Sequence, residues 1–211
     1  MTRQSAPELL VLHAVRLVGF ADSEAVAERA RTSHAEALRL LTMAERAGWV
    51  QHDSFAELDG WSLTDSGKVE NERQLAAERV EADPDGTVAA LYRDFLPLNA
   101  RLLRAVTSWQ IKPTEADTFA PNNHTDSEWD GRVLDELTAL SEELAPLTER
   151  LSAVLARFDS YMTRYASALH KGRSGERDWI DKSDRDSCHR VWFQLHEDLV
   201  ATLGIDRASE V

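Results

Sequence analysis

From Leu137 to Leu169 apolar side chains recur at steps of three and four: Leu137, Leu140, Leu144, Leu147, Leu151, Leu155, Phe158, Met162, Tyr165 and Leu169. An α-helix turns once every ~3.6 residues, so this spacing lays one apolar stripe along about ten turns. A stripe of that length has to be covered. It forms either the core of a helical bundle or a seam between two copies of the chain. Pro146 lies off the stripe and is expected to kink the helix or split it in two, because its ring removes one backbone donor and crowds the preceding turn.

The same period governs most of the remaining chain. Pro7 to Val18 reads as a first helix, with proline at its opening turn, and Gly19 stops it. Asp22 or Ser23 can cap a second helix, Glu24 to Ala30, and Ser33 opens a third that Gly48 terminates. Trp49 to His52 and Gly60 to Leu63 read as two short strands joined by DSFAELD, a small wing. Thr64 or Asp65 caps a helix that continues to Ala82. The sequence DPDG, Asp83 to Gly86, then breaks the chain and marks the expected domain boundary. Beyond it, Thr87 to Ile111 is helical, with a bend expected at Pro97. Lys112 to Asp130 is a long polar loop, read as solvated. Ser183 caps a final helix, with Asp186 as the acidic partner in a capping box, and that helix ends near Gly204. The expected fold class is mainly α: residues 1–83 as an N-terminal unit with a two-stranded wing, and residues 84–211 as an all-helical bundle.

Helix, helix, helix, strand, strand, helix is the order within the first third. The stretches SEAVAERA, SHAEALRLLTMAERAGWV and WSLTDSGK carry a resemblance to the winged helix-turn-helix of bacterial transcription regulators, in the broad MarR-like or GntR-like sense. The resemblance implies that the third helix is a recognition helix and that the partner is double-stranded DNA. At about 100° per residue, Ser33, Ala37, Leu40, Leu41 and Ala44 fall on one side. Ala35, Leu38, Arg39, Thr42 and Arg46 fall on the other, which in recognition geometry enters the major groove. Arg39 could donate a bidentate pair to guanine, and Thr42 or Leu38 could touch a thymine methyl. Thr32, Ser33 and His34 sit where the start of the helix would meet a phosphate.

Charge argues the other way. The formal net charge is −13, and residues 1–72 hold seven Lys/Arg against twelve Asp/Glu. The wing carries Asp53, Glu57 and Asp59 and no cation, so few phosphate contacts and a shallow salt dependence are expected. A homodimer presenting two recognition helices would recover affinity. The alternative is an acidic adaptor that uses the same module to dock another protein.

In the final helix Cys188, Trp192, Leu195 and Leu199 form one apolar strip, and Phe193 and Val200 form a second. Arg185, His189 and His196 run between them. Polar groups set in an apolar face need partners. These come from neighbouring acids or from a bound apolar or aromatic small molecule, with Trp109, Tyr161 and Tyr165 as further walls beside Trp192. Tyr92, Phe95, Phe158 and Trp179 belong to the same aromatic set.

The other function classes have no positive signal. His189 and His196 stand two turns apart, about 10 Å, too far to share one ion, and no paired-cysteine or His-x-x-x-His spacing exists. No Gly-rich phosphate loop or nucleophile elbow is present, so no enzyme and no cofactor are expected. A single cysteine, Cys188, forms no internal disulfide and fits a reducing compartment. The apolar runs are too short to span a membrane, and MTRQSAPELL does not open as a secretion signal. A cytoplasmic, homodimeric, ligand-responsive regulator is the function expected from the sequence.

Overall fold

The computed structural model describes residues 2–55 and 58–205. The chain is mainly helical with one small antiparallel sheet, and it divides into two compact units. The first comprises residues up to Asp85 together with the chain from Glu197 onward, and the second runs from Gly86 to His196. The sequence placed everything after 83 in one domain. The division differs at the C-terminus, where the last turns of the final helix belong to the first unit.

In the first unit, α1 (Pro7–Val18), α2 (Ser23–Ala30) and α3 (His34–Arg46) are followed by β2 (Val50–Phe55), β3 (Leu58–Leu63) and α4 (Asp65–Ala82). The sheet has three strands, not the two expected, in the order β1-β3-β2. The additional strand, β1, is Phe20–Ala21, paired with Ser62 and Trp61 of β3. Two residues are too few to display a period, and only β3 running alongside makes them a strand. β2 and β3 form a hairpin from Val50↔Leu63 to Phe55↔Leu58. The core packs Val11, Leu12 and Val15 of α1 with Val26, Ala37, Leu40 and Leu41, closed by Val50 and Trp61 of the sheet. A second cluster joins Leu9, Leu75 and Ala201.

The second unit holds α5 (Thr87–Gln110), α6 (Ser127–Val154), a 3-10 turn (Ala156–Asp159), α7 (Ser160–Arg173), the short α8 (Asp178–Asp181) and the start of α9 (Cys188–Leu203). Pro97 lies inside an unbroken α5 and Pro146 inside an unbroken α6. Pro146 does not split the long stripe. Glu142 and Pro146 are both exposed, so the carbonyl that loses its partner lies on the wet side. The break comes at Leu155, whose backbone is extended at φ −128°. The buried stripe differs from the expected one on both sides of this break: Leu147 and Met162 are half-buried, while Thr148 and Tyr161 are buried. Thr148 is accommodated because its hydroxyl donates to the Ala145 carbonyl at 2.9 Å.

The cap of α9 is also corrected. Ser187 accepts from the Arg190 N–H at 3.2 Å, and Ser183 lies outside the helix. The Asp186 carboxylate is drawn instead to Arg164, at 2.7 and 2.9 Å. The polar loop after α5 is less solvated than expected. Asn122 and Asp130 are buried, and the Asn122 amide donates to the Trp109 carbonyl and to Asp130. His124, held at φ 56°, brings Nδ1 to within 3.0 Å of Asp130.

Candidate functional site

The candidate interface is α3 with the turn before it. Asp22 caps α2 by accepting from the Ala25 N–H at 2.8 Å. α2 ends at Arg31 in the left-handed region, φ 54°, and the Thr32 N–H returns to the Ala27 carbonyl at 3.1 Å. Ser33 caps α3 by accepting from the Glu36 N–H at 3.2 Å. His34 Nε2 lies 2.8 Å from the Ser23 hydroxyl and ties the start of α3 to the start of α2.

The burial of α3 follows its period. Ala37, Leu40, Leu41 and Ala44 are buried, while Ala35, Leu38, Arg39 and Arg46 are exposed. Thr32 and Thr42 are half-buried; Ser33 and His34 are exposed. Two of these side chains are engaged with their own helix. Arg39 holds Glu36 in a two-bonded fork, Nε to Oε2 at 2.8 Å and Nη2 to Oε1 at 2.7 Å, and Nη1 reaches the Met43 sulfur at 3.0 Å. The pair raises the pKa of Arg39 and lowers that of Glu36, chiefly through that hydrogen bonding. Thr42 donates its hydroxyl to the Leu38 carbonyl at 2.8 Å and keeps its lone pairs for an incoming donor. An exposed i,i+3 ion pair of this kind is screened by water, so Arg39 can exchange Glu36 for another acceptor at little cost.

The hairpin presents no cation. Asp53 and Asp59 are exposed; Gln51 donates to Asp53 at 2.9 Å, and His52 stacks on Trp61 with ring centroids 4.4 Å apart. Glu57 falls outside the described residues.

The seven residues expected to line a ligand site do not converge. Tyr165, Trp192 and His196 share one aromatic cluster through Phe95, with Trp192 5.7 Å from Tyr165 and 5.3 Å from Phe95, and His196 5.6 Å from Phe95. Their polar tips are used within the protein: Tyr165 donates to the Leu137 carbonyl, Trp192 to Asn99, and nearby Tyr161 to the Gln194 carbonyl. His189 is half-buried, and that burial lowers its pKa. Trp109 packs elsewhere, against His124, and Arg185 is engaged by Asp184 and Asp178 near Trp179.

Sequence reasoning passed over a buried polar cluster in the first unit. His13, in the apolar run LLVLHAV, is 2% exposed. Its Nδ1 lies 3.3 Å from the Asn71 amide oxygen and its Nε2 3.0 Å from Asp198, itself 1% exposed. The Asp198 contact is poorly aligned for a hydrogen bond. Thr202 donates to Asp198 at 3.2 Å. Beside it Arg16 bridges Glu72 and Glu197 at 3.0 and 2.8 Å. A lone histidine in an apolar helix face was the signal available.

No family model, curated protein or solved structure matches the chain. Among the described residues no helix is long and apolar enough to cross a membrane.

Proposed function

We propose that the chain is a sequence-specific DNA-binding transcription regulator. Its first unit acts as a winged helix-turn-helix, and its helical unit takes a small-molecule effector. The observation that supports this most is α3 itself: a capped helix of thirteen residues with one face in the core and the other carrying exposed Ala35, Leu38, Arg39 and Arg46 beside half-buried Thr42. That face has the width and the chemistry to enter a major groove, with Arg39 leaving Glu36 for guanine and Leu38 or Thr42 against thymine methyls. Two copies with recognition helices about 34 Å apart would read a two-fold operator, and an effector that favours one arrangement of the dimer would alter its affinity.

The test is selection from random duplex DNA, followed by fluorescence anisotropy on the enriched sequence. Arg39→Ala should weaken binding by about 5- to 150-fold, the worth of one bidentate base contact, and relax the preference at one position. Glu36→Gln should strengthen binding, because it releases the guanidinium and removes a negative charge from the groove face. Failure to enrich any sequence, or unchanged affinity in Arg39→Ala/Thr42→Ala with intact circular dichroism, would remove the DNA assignment.

A second function has one observation in its favour. Leu38 and Met43 are 43% and 51% exposed on α3, beside an acidic hairpin. A face of that kind suits an adaptor that docks a basic, apolar protein surface. Absence of heparin and DNA retention even at low salt would favour it.

A further inference from the structure

We propose that the concavity between α5 and α6 is a binding site for an aromatic oxyanion, meaning a flat ring that carries a carboxylate or a phosphate. The hollow has a volume of about 260 Å³ and lies wholly within the second unit. Arg101, Arg104 and Arg132 line it, Trp129 forms a wall, and Ala105 and Val133 supply apolar surface. In a chain of net charge −13, the lining sets three arginines against one acid, Glu136, which Arg101 holds at 2.8 Å.

The three cations are not equivalent. Arg101 is fully committed, donating to Glu136 at 2.8 Å and to Glu143 at 2.6 Å, and acts as a fixed part of the wall. Arg104, one turn further along α5, is exposed, and among the described residues its guanidinium has no hydrogen bond or ion pair. Arg132, on α6, pairs at 3.0 Å with Glu128, which is 87% exposed, so water competes for that contact. Two guanidinium groups on adjoining helices are therefore available to one oxyanion, which they can hold by charge-assisted bonds.

Trp129 supplies the flat surface. Its indole N–H donates to the Ser108 carbonyl at 2.7 Å, which fixes the ring in place. The Arg132 guanidinium lies over that ring, 5.5 Å from its centroid, so a ligand ring can rest beside the indole on Ala105 and Val133 with its charged group at the arginines. The buried aromatic cluster around Trp192 lacks these features, because its rings fill their own space and its polar tips are already bonded.

Calorimetry on the full chain tests the site with four probes: phenyl phosphate, benzoate, benzamide and inorganic phosphate. Saturable one-to-one binding of phenyl phosphate, benzoate or both is expected, and comparing the two shows which oxyanion is preferred. Benzamide lacks the charge and inorganic phosphate lacks the ring, so each should bind roughly tenfold more weakly or worse. Arg104→Ala and Arg132→Ala should each cost roughly tenfold in affinity with unchanged circular dichroism, since neither leaves a buried partner unpaired. The site is refuted by no saturable binding of either aromatic anion at millimolar concentration. It is equally refuted by affinities indifferent to both substitutions, or by inorganic phosphate matching phenyl phosphate. An effector role for this site rests on the DNA-binding function of α3. The calorimetry contains no DNA, so its outcome is separate: failure of the DNA selection would sink that function and leave the site standing, and absence of binding in the calorimetry would remove the site and leave α3 untouched.

Discussion

Gly67→Ala should destabilise the first unit by about 2–4 kcal/mol, although alanine is the better helix former. Gly67 lies in the first turn of α4, and its N–H donates to the capping Thr64 hydroxyl at 3.0 Å. A Cβ built there would overlap the Trp49 carbonyl oxygen and stand 2.6 Å from the carbonyl carbon. Both sides of that collision are backbone, so no side chain can rotate away. The turn of α4 must move off the Gly48–Trp49 segment. Doing so strains the Thr64 N–H bond to Trp49 (3.1 Å) and the Thr64 and Ser66 hydroxyl bonds to Gly48 (2.6 and 2.7 Å). Overpacking of this kind costs about 1–3 kcal/mol and each lost hydrogen bond about 1 kcal/mol, against a propensity gain of at most about 1 kcal/mol. Gly131 is the control: it is also helical, in α6, but a Cβ there would meet nothing within 4 Å. Gly131→Ala should stabilise by about 0.5–1 kcal/mol. Urea denaturation followed by circular dichroism at constant m reads both changes as shifts of midpoint in opposite directions. A Gly67→Ala midpoint at or above wild type would refute the close approach of α4 to Trp49.

Three further outcomes follow from two buried groups and one half-buried one. Asp198→Ala removes the acid beside a histidine with 3% side-chain exposure, and thermal or urea unfolding should register a loss of about 1–3 kcal/mol from the buried polar groups left unsatisfied, which His13→Leu introduced as a second change should partly restore. Cys188 is fully buried, and desolvation pushes its thiol up to about 12, so iodoacetamide should leave it unmodified in the native chain and alkylate it promptly in urea, as read by mass spectrometry. Burial lowers the pKa of His189, so as pH falls below the ordinary value of about 6.5 the unfolded chain takes up the proton first; stability should drop through that window, and His189→Gln should flatten the decline in denaturation midpoint between pH 7 and 5.

Much of the fold was legible because its signals are local. Pro7, Asp22, Ser33, Thr64 and the glycines at 19 and 48 each act within one turn, and the helices begin and end where these residues place them. The outward face of α3 was legible for the same reason, since a helix of known phase has only one apolar side. The state of that face was not. Whether Arg39 points to solvent or clasps Glu36 depends on a choice of rotamer that spacing does not express. The ligand-lining set failed to converge because residues on α5, α7 and α9 were grouped by chemical type, while their distances depend on how those helices pack. The hollow around Trp129 was missed for the converse reason: Arg101, Arg104 and Arg132 look like ordinary solvated charges until α5 and α6 bring them together.

By itself, the sequence determined where the helices lie, which face of each is apolar, and that the chain would be mainly helical, because hydrophobic period and capping are properties of neighbours along one strand of chain. Tertiary structure decided the third strand at Phe20–Ala21, the break at Leu155 in place of Pro146, and the assignment of the end of α9 to the first unit. It also decided the meeting of His13 with Asp198. Each of these depends on a partner far away in sequence, and the energy that selects such a partner exists only once the two segments are packed side by side.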